Sequence, residues 1–177
     1  MAGLPINIDA SVVVQDNATA AGGVTCAASF TPAAAAYGAG DVMSVAQSMA
    51  WTTMASGMAI PPSSLIRILT AVVKIDITAV PSGQTSYTLA LYSVTPPSAQ
   101  ADNDAWTLAS ADLSSYLGSI SIGTPVDLGA SLYVKQQFID FDIGLASTSG
   151  MFGELVTVGA HTATAVARSV RLFGVVL

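Results

Sequence analysis

Apolar and polar residues alternate along several short stretches of this chain, most regularly in residues 69–78, LTAVVKIDIT. Every second residue of that stretch is apolar, namely Leu69, Ala71, Val73, Ile75 and Ile77. A period of two places these side chains on one side of an extended backbone, because successive strand residues point in opposite directions. The stretch is therefore predicted to be a half-buried strand with this side facing the core.

A turn-rich segment, AVPSGQTS, separates this strand from a second one, which begins in TSYTLALYSV. Pro81 fixes φ and Gly83 permits a positive φ, so the segment can reverse the chain. The apolar side of the second strand is formed by Tyr87, Leu89 and Leu91. Short loops of this composition commonly join neighbouring strands, and we expect the two strands to pair as a hairpin.

Three later stretches have the same strand character: YLGSISI at residues 116–122, QFIDFDI at 137–143 and SVRLFGVVL at 169–177. Turn-rich segments separate them at short and fairly regular intervals, which is typical of β-sandwiches and barrels. The predicted fold is an all-β, antiparallel, jelly-roll-like β-sandwich, in which periodicity leaves the pairing of the strands open. The best helical candidate is ASADLSSYL, residues 109–117, expected to form one short crossover helix of about two turns.

The first sixty residues differ from the rest in composition. They are rich in Ala, Gly, Ser and Met, and no acidic or basic residue lies between Asp16 and Asp41. We divide the chain into residues 1–60, which supply further strands or an arm laid over a neighbouring molecule, and residues 61–177, which form the sandwich core. At 177 residues, the two parts are expected to make a single structural unit.

Charged residues make up only 9% of the chain, below the usual share of about 25%, while 52% of its residues are hydrophobic. A surface with so few charges tends to associate, which favours a protein that buries part of its exterior in an oligomer or assembly. The formal net charge is −6, and the basic residues are scattered along the sequence: Arg67, Lys74, Lys135, Arg168 and Arg171. Phosphate binding needs a basic stripe, so nucleic acid is not expected as a partner.

The sequence predicts neither a secretory signal nor a membrane helix. The start, MAGLPINIDA, lacks the basic and apolar regions of a secretory signal. Residues 42–66 carry no charge, but Gln47, several Ser and Thr residues and the pair Pro61-Pro62 interrupt them. Polar groups cost free energy in lipid and the proline pair would break a helix, so we expect no contact with a membrane.

The stretch TPPSAQADNDAW, residues 95–106, holds a dense group of acidic and amide side chains. An EF-hand loop starting at Asp102 would need a ligand at its fifth position and Gly at its sixth, where this sequence has Trp106 and a threonine. Short Asp-Asn runs after Pro-Pro more often cap turns. We predict a structural crossover that Trp106 anchors to the sandwich. Calcium binding by Asp102, Asp104 and Asp112 is the alternative.

Candidate catalytic residues are few. Asp140 and Asp142 lie on one side of a predicted strand, like the paired carboxylates of a glycosidase, but a working pair needs one raised pKa, and we expect both on the solvent side. Cys26, the only cysteine, is expected to be a small buried hydrophobe, and His161 lies in GAHTATA, which resembles a polar loop. The sequence contains no GxSxG, HExxH or CxxC motif. We predict no enzymatic activity and no catalytic, cofactor-binding or metal-binding residue.

Two stretches, VPSGQTSYTLALYSVTPPSAQADNDAWTL at residues 80–108 and YLGSISIGTPVDLGASLYV at 116–134, resemble small virion proteins that tailed bacteriophages encode beside the major capsid gene. These are the capsid decoration, or cement, proteins. The likeness covers residues 64–177. Its most specific element is the order hairpin, TPP, DNDAW, short helix, LG strand and PVDLG turn.

The resemblance implies a β-rich domain, often a homotrimer, that binds the outer surface of the capsid and bridges neighbouring copies of the major capsid protein. Such a virion protein is made in the cytoplasm of the host bacterium and ends on the capsid exterior. The family has no catalytic residues and no cofactor. Its contact surfaces differ between phages, so the resemblance assigns no capsid-contact residues to this chain.

Two other functions remain open. The first is a jelly-roll module of a phage fibre or tail tip that binds host glycans, with Trp51, Trp106 and Tyr92 as an exposed aromatic platform. The second is a glycosidase that uses Asp140 and Asp142.

Overall fold

The computed structural model describes residues 22–148 and 150–177, and the regular structure of these residues is entirely β. Its strands are, in chain order, β1 (Gly23–Phe30), β2 (Ala36–Tyr37), β3 (Gln47–Ala50), β4 (Thr52–Thr53), β5 (Leu65–Ile75), β6 (Tyr87–Tyr92), β7 (Tyr116–Ile122), β8 (Val126–Asp127), β9 (Leu132–Gly144), β10 (Gly150–Thr157), β11 (His161–Thr162) and β12 (Arg168–Val176).

The strands form two main antiparallel sheets. The six-stranded sheet has the order β4-β1-β12-β5-β9-β8, and the four-stranded sheet has the order β3-β10-β6-β7. A separate short pair joins β11 to β2. The prediction of an all-β antiparallel sandwich is therefore confirmed.

The hydrophobic core lies between the two main sheets. Ile68 and Leu172 reach it from the six-stranded sheet, and Leu89 and Leu155 reach it from the four-stranded sheet, all with 0% exposure. Burying one such side chain contributes about 1.5–3 kcal/mol. Trp51, between β3 and β4, is the largest fully buried side chain of the described residues. Packing of one sheet on the other thus stabilises the whole fold.

The predicted hairpin between β5 and β6 is wrong. β5 lies between β12 and β9 in one sheet, whereas β6 lies between β10 and β7 in the other. Five of the six residues from Tyr87 to Tyr92 are buried, and a strand covered on both faces suits the middle of a sheet rather than a hairpin at its edge. The turn-rich segment before β6 crosses between the sheets instead. Gly83 lies in it with φ of 86°, against the backbone of Ala160, where a Cβ would clash.

The alternation predicted for β5 is interrupted at Leu69. Residues from Ala71 to Ile75 follow the prediction, but Leu69 is 40% exposed and Ile68 faces the core in its place. The pairing of β5 with β9 shifts register between Ile68 and Thr70. A one-residue change of register moves a side chain to the other face of a sheet, which explains the wrong side predicted for Leu69.

The predicted crossover helix at residues 109–117 is also wrong. Most of these residues form consecutive turns, and β7 already begins at Tyr116. The Asp112 carbonyl accepts hydrogen bonds from the backbone N–H groups of Ser115 and Tyr116, each at 2.9 Å, and from the Ser115 hydroxyl. Serine side chains compete with helical backbone bonds in this way. Pairing of Tyr116 with Tyr92 then draws the chain into the sheet.

Residues 22–60 take part in both main sheets. β1 lies between β4 and β12, and β3 forms an edge beside β10. Residues 1–21 lie outside the described part of the chain, so the arm proposed for the N-terminal region stays a prediction there. Among the described residues, no helix is long and apolar enough to span a membrane.

Candidate functional site

The segment between β6 and β7, residues 93–115, joins two neighbouring strands of one sheet, so the prediction of a crossover is wrong and we name this segment the β6–β7 loop. The Asp102 carboxylate joins this loop to the N-terminal part of the chain. Its oxygens accept hydrogen bonds from the backbone N–H of Ala33 at 2.7 Å, from the Tyr37 hydroxyl at 2.8 Å and from the backbone N–H of Ser44 at 2.6 Å. Charge-assisted bonds of this kind are stronger than neutral ones. The carboxylate therefore holds residues 33–44 against the β6–β7 loop.

The other two candidate calcium ligands accept hydrogen bonds from backbone groups within the β6–β7 loop. Asp104 accepts a hydrogen bond from the backbone N–H of Ala101 at 3.1 Å, and Asp112 accepts one from the backbone N–H of Ser98 at 2.9 Å. Within residues 22–148 and 150–177, no group of three Asp, Glu, His or Cys side chains could hold a metal ion. Only the contact of Asp104 is that of a turn cap, whereas Asp102 and Asp112 bond backbone groups that are distant in sequence.

Trp106 packs against two tyrosines of the four-stranded sheet. Its indole Nε1 donates a hydrogen bond to the Tyr92 hydroxyl at 3.3 Å, and its ring centroid lies 6.4 Å from that of Tyr116. The Tyr92 and Tyr116 ring centroids are 5.5 Å apart. These contacts agree with the anchoring role predicted for Trp106, because tilted rings at such distances attract one another in addition to burying apolar area.

Glu154 completes this aromatic cluster, although no sequence motif had assigned it a role. It is 1% exposed and accepts a hydrogen bond from the Tyr92 hydroxyl at 3.1 Å. Burial raises the pKa of its carboxyl. Glu154 is the only glutamate of the chain and lies among apolar residues of β10. An acid within an apolar strand was the sequence signal that could have identified a buried polar contact at this position.

Two of the three aromatic residues considered as a glycan platform are buried. Trp51 is 0% exposed and Tyr92 is 1% exposed, while Trp106 is partly exposed. Packing of the two sheets covers Trp51, and the cluster around Trp106 covers Tyr92. The expectation that these rings form an exposed platform is therefore wrong.

Asp140 and Asp142 lie on the solvent-facing side of β9, as predicted, and both contact Arg67 of β5. The Arg67 guanidinium donates two hydrogen bonds to Asp142, at 2.7 and 2.8 Å, and its Nε lies 3.2 Å from Asp140. Hydrogen bonding to Arg67 lowers the pKa of the Asp142 carboxyl. A glycosidase acid needs a raised pKa, so Asp142, held in an exposed ion pair, is unsuited to that role.

Cys26 and His161 are both buried. Cys26 faces the core from β1, and burial raises the pKa of its thiol, which disfavours the reactive thiolate. The prediction of a small buried hydrophobe is confirmed. His161 lies in the short strand β11 rather than in a polar loop, with its Nδ1 3.0 Å from the Gly159 carbonyl oxygen and its ring stacked on Tyr37.

β9 contains a bulge opposite Leu69 of β5. Between two regular cross-strand pairs, Thr70–Gln137 and Ile68–Phe141, three residues of β9 face this single leucine. The three residues are Phe138, Ile139 and Asp140. Bulges re-aim side chains, and this one directs Phe138 away from the core.

Phe138 is the most unusual residue of the bulge. Its φ is 58° and that of Asp140 is 47°, a region that costs an L-residue about 1–2 kcal/mol. Phe138 is also 94% exposed, so burial within this chain does not compensate for the strain. Strained backbone that folding does not require is concentrated at functional positions in proteins.

The bulge belongs to a larger surface that we name the outer face, which consists of the side chains of the six-stranded sheet directed away from the core. Its members around the bulge and along the neighbouring strands are Leu69, Thr70, Val72, Lys74, Tyr133, Lys135, Phe138, Arg171 and Phe173. Aromatic and apolar groups are mixed here with Arg171 and two lysines, and aromatic residues and arginine, though not lysine, are enriched at protein contact surfaces. The consecutive apolar residues Phe138 and Ile139, which break the alternation of QFIDFDI, were the only sequence signal for it.

A comparison of the chain with models of known protein families gives no match, and a comparison with curated proteins gives none either.

Replacing Asp102 with Asn should destabilise the protein by about 1–3 kcal/mol, because the amide nitrogen cannot accept the hydrogen bonds that one carboxylate oxygen receives. The matched control is Asp104→Asn, whose side chain accepts only the exposed local bond from Ala101, and it should cost less than about 0.5 kcal/mol. Urea denaturation monitored by tryptophan fluorescence, with and without calcium, measures both. Equal losses in the two variants would contradict the structural role of the β6–β7 loop. A calcium-dependent gain in stability that Asp104→Asn abolishes would contradict it as well.

Replacing Phe138 with Asn should raise the free energy of unfolding by about 0.5–1 kcal/mol, since Asn tolerates positive φ and no buried contact is lost. Leu128→Asn is the control, because Leu128 is 63% exposed and has an ordinary φ. That variant should leave stability within about 0.5 kcal/mol of the original protein. Thermal and urea unfolding measure the difference, and a clear loss of stability in Phe138→Asn would show that the aromatic ring supports the fold itself.

Proposed function

We propose that this protein is a structural virion protein of a tailed bacteriophage, a capsid decoration or cement protein. It binds the outer surface of the capsid as a homotrimer and stabilises the shell by bridging neighbouring major capsid subunits. The finer description of its sandwich as jelly-roll-like belongs to the same proposal. It is supported by chain connections that pass repeatedly from one sheet to the other, as between β5 and β6 and between β9 and β10.

The observation that carries the proposal is the exposed Phe138 in its positive-φ bulge. Folding alone gains nothing from exposing an aromatic ring in a strained conformation, whereas a binding partner that covers the ring gains its full apolar area. Exposed aromatic anchors of this kind supply a large share of the binding energy at protein interfaces. Leu69, opposite the bulge and 40% exposed, enlarges the apolar contact.

The low charge content supports the same function. Only 9% of the residues are charged, and exposed hydrophobic side chains occur at many places on the described surface. Burying a neutral surface of this kind against another protein costs little desolvation free energy. A shell offers many identical sites, and a homotrimer that contacts several of them at once gains avidity from weak individual contacts.

The resemblance of residues 80–108 and 116–134 to phage decoration proteins supplies the identity of the partner. In this chain those residues form β6, β7, β8, the first residues of β9 and the loops beside these strands. The contacts of Asp102 and Trp106 are internal, so the β6–β7 loop belongs to the scaffold, whereas Tyr133 of β9 lies on the outer face. The capsid contact is therefore assigned to the other sheet, at the bulge.

Mixing the purified protein with expanded phage heads that lack it, followed by sedimentation, tests the proposal. Bound copies per head should rise to a plateau fixed by the capsid lattice. Phe138→Asp should raise the concentration needed for half-saturation about tenfold or more, because a central aromatic anchor is replaced by a charge. Leu128→Asp, which changes an equally apolar exposed position in the turn after β8, should leave it nearly unchanged.

Folded protein that does not bind the heads would contradict the proposed function. Binding that Phe138→Asp and Leu128→Asp weaken equally would keep the function but remove the bulge from the contact. Analytical ultracentrifugation of the free protein should give the mass of a trimer, and a monomer at concentrations above those needed for head binding would contradict the proposed oligomer.

A further inference from the structure

Three of the five basic residues of the chain lie together on the outer face, although they are far apart in sequence. Val72 of β5 pairs with Arg171 of β12 on one side and with Lys135 of β9 on the other. Because adjacent strands are about 4.8 Å apart, the backbones of Arg171 and Lys135 are separated by only about 10 Å. Lys74, two residues further along β5, faces the same way.

This concentration of positive charge is poorly neutralised by the protein itself. Lys74 pairs with Asp76 at 2.8 Å, but both side chains are exposed, and such pairs contribute little. Within the described part of the chain, Lys135 and Arg171 form no ion pair. Lys135 and Arg171 lie on strands separated by β5, and the three cations are grouped on one surface of a chain whose net charge is −6.

The cations surround a groove with an apolar floor. Its volume is about 530 Å³, and Val72, Tyr133 and Phe173 line it together with the three basic side chains. The groove is open and lies across three strands, so it suits a ligand that extends over several residues better than a small molecule. Long cations over aromatic and apolar surface provide both charge complementarity and apolar contact.

We infer that this groove binds an acidic polypeptide segment, which presents Asp or Glu side chains to Lys74, Lys135 and Arg171 and apolar groups to Tyr133 and Phe173. The inference deepens the proposed function and rests on it for the existence of a protein partner. Nucleic acid fits less well, because the protein is acidic overall and the three cations form a single short group rather than a stripe that follows a phosphate backbone.

Fluorescence anisotropy of a fluorescein-labelled ten-residue polyglutamate peptide, titrated with the full-length protein, tests the inference. The peptide should bind at low salt and dissociate as the salt is raised, because screening shortens the range of charge interactions from about 10 Å at 0.1 M to about 3 Å at 1 M. Lys135→Gln and Arg171→Gln should each weaken binding about fivefold, and the double variant should weaken it further.

Ser48→Asp is the matched control. It lowers the formal net charge by one, as each glutamine variant does, but Ser48 is exposed on β3 of the opposite sheet. Polyglutamate binding that the control leaves unchanged and the glutamine variants reduce would support a local acidic-segment site. Absence of peptide binding, or an equal effect of all variants, would overturn it, and tighter binding of an oligothymidylate of equal charge would assign the groove to nucleic acid instead.

Sedimentation with expanded heads separates failure of this inference from failure of the proposed function. Heads that bind the Lys135→Gln, Arg171→Gln double variant as well as the original protein would overturn the acidic-segment inference and leave the cement function standing. A protein that binds polyglutamate but does not bind heads would support the acidic-segment groove and contradict the proposed cement function.

Discussion

The carboxylate of Asp102 holds the chain segment that passes from one sheet to the other against the loop that joins β6 to β7. It accepts hydrogen bonds from Ala33, Tyr37 and Ser44, in the segment that leads from β1 in the six-stranded sheet to β3 in the four-stranded sheet. One buried or half-buried acceptor with several donors is costly to remove, because every donor then lacks its partner. The β6–β7 loop thereby holds the segment between β1 and β3 in place.

A rigid sandwich of this kind can support a surface that opposes folding. The positive φ values of Phe138 and Asp140 each cost about 1–2 kcal/mol. Burial of side chains such as Ile68 and Leu172 directly beneath the outer face outweighs these costs. The core therefore supplies enough stability for the same strands to carry a strained contact surface on their outer side. Proteins commonly give up some stability at functional surfaces in this way.

The sequence was sufficient for elements whose side chains alternate regularly, such as Ala71 to Ile75, and for the burial of Cys26. It was insufficient where long-range pairing decides the outcome. The partner of β6, the exposed side of Leu69 and the turn in place of the helix before Tyr116 all follow from contacts between residues far apart in the chain. For the same reason Lys135 and Arg171 looked scattered in sequence, although both flank Val72 in the sheet.

Hydroxyl-radical footprinting of the protein, free and bound to expanded heads, tests most directly the claim that the outer face is the contact surface. Phe138, which is 94% exposed, and Tyr133 should be oxidised more slowly in the bound protein. Leu113, which is 59% exposed in the turn before β7, should keep its rate. Protection of Leu113 with unchanged oxidation of Phe138 would contradict the account and place the contact on the other side of the sandwich.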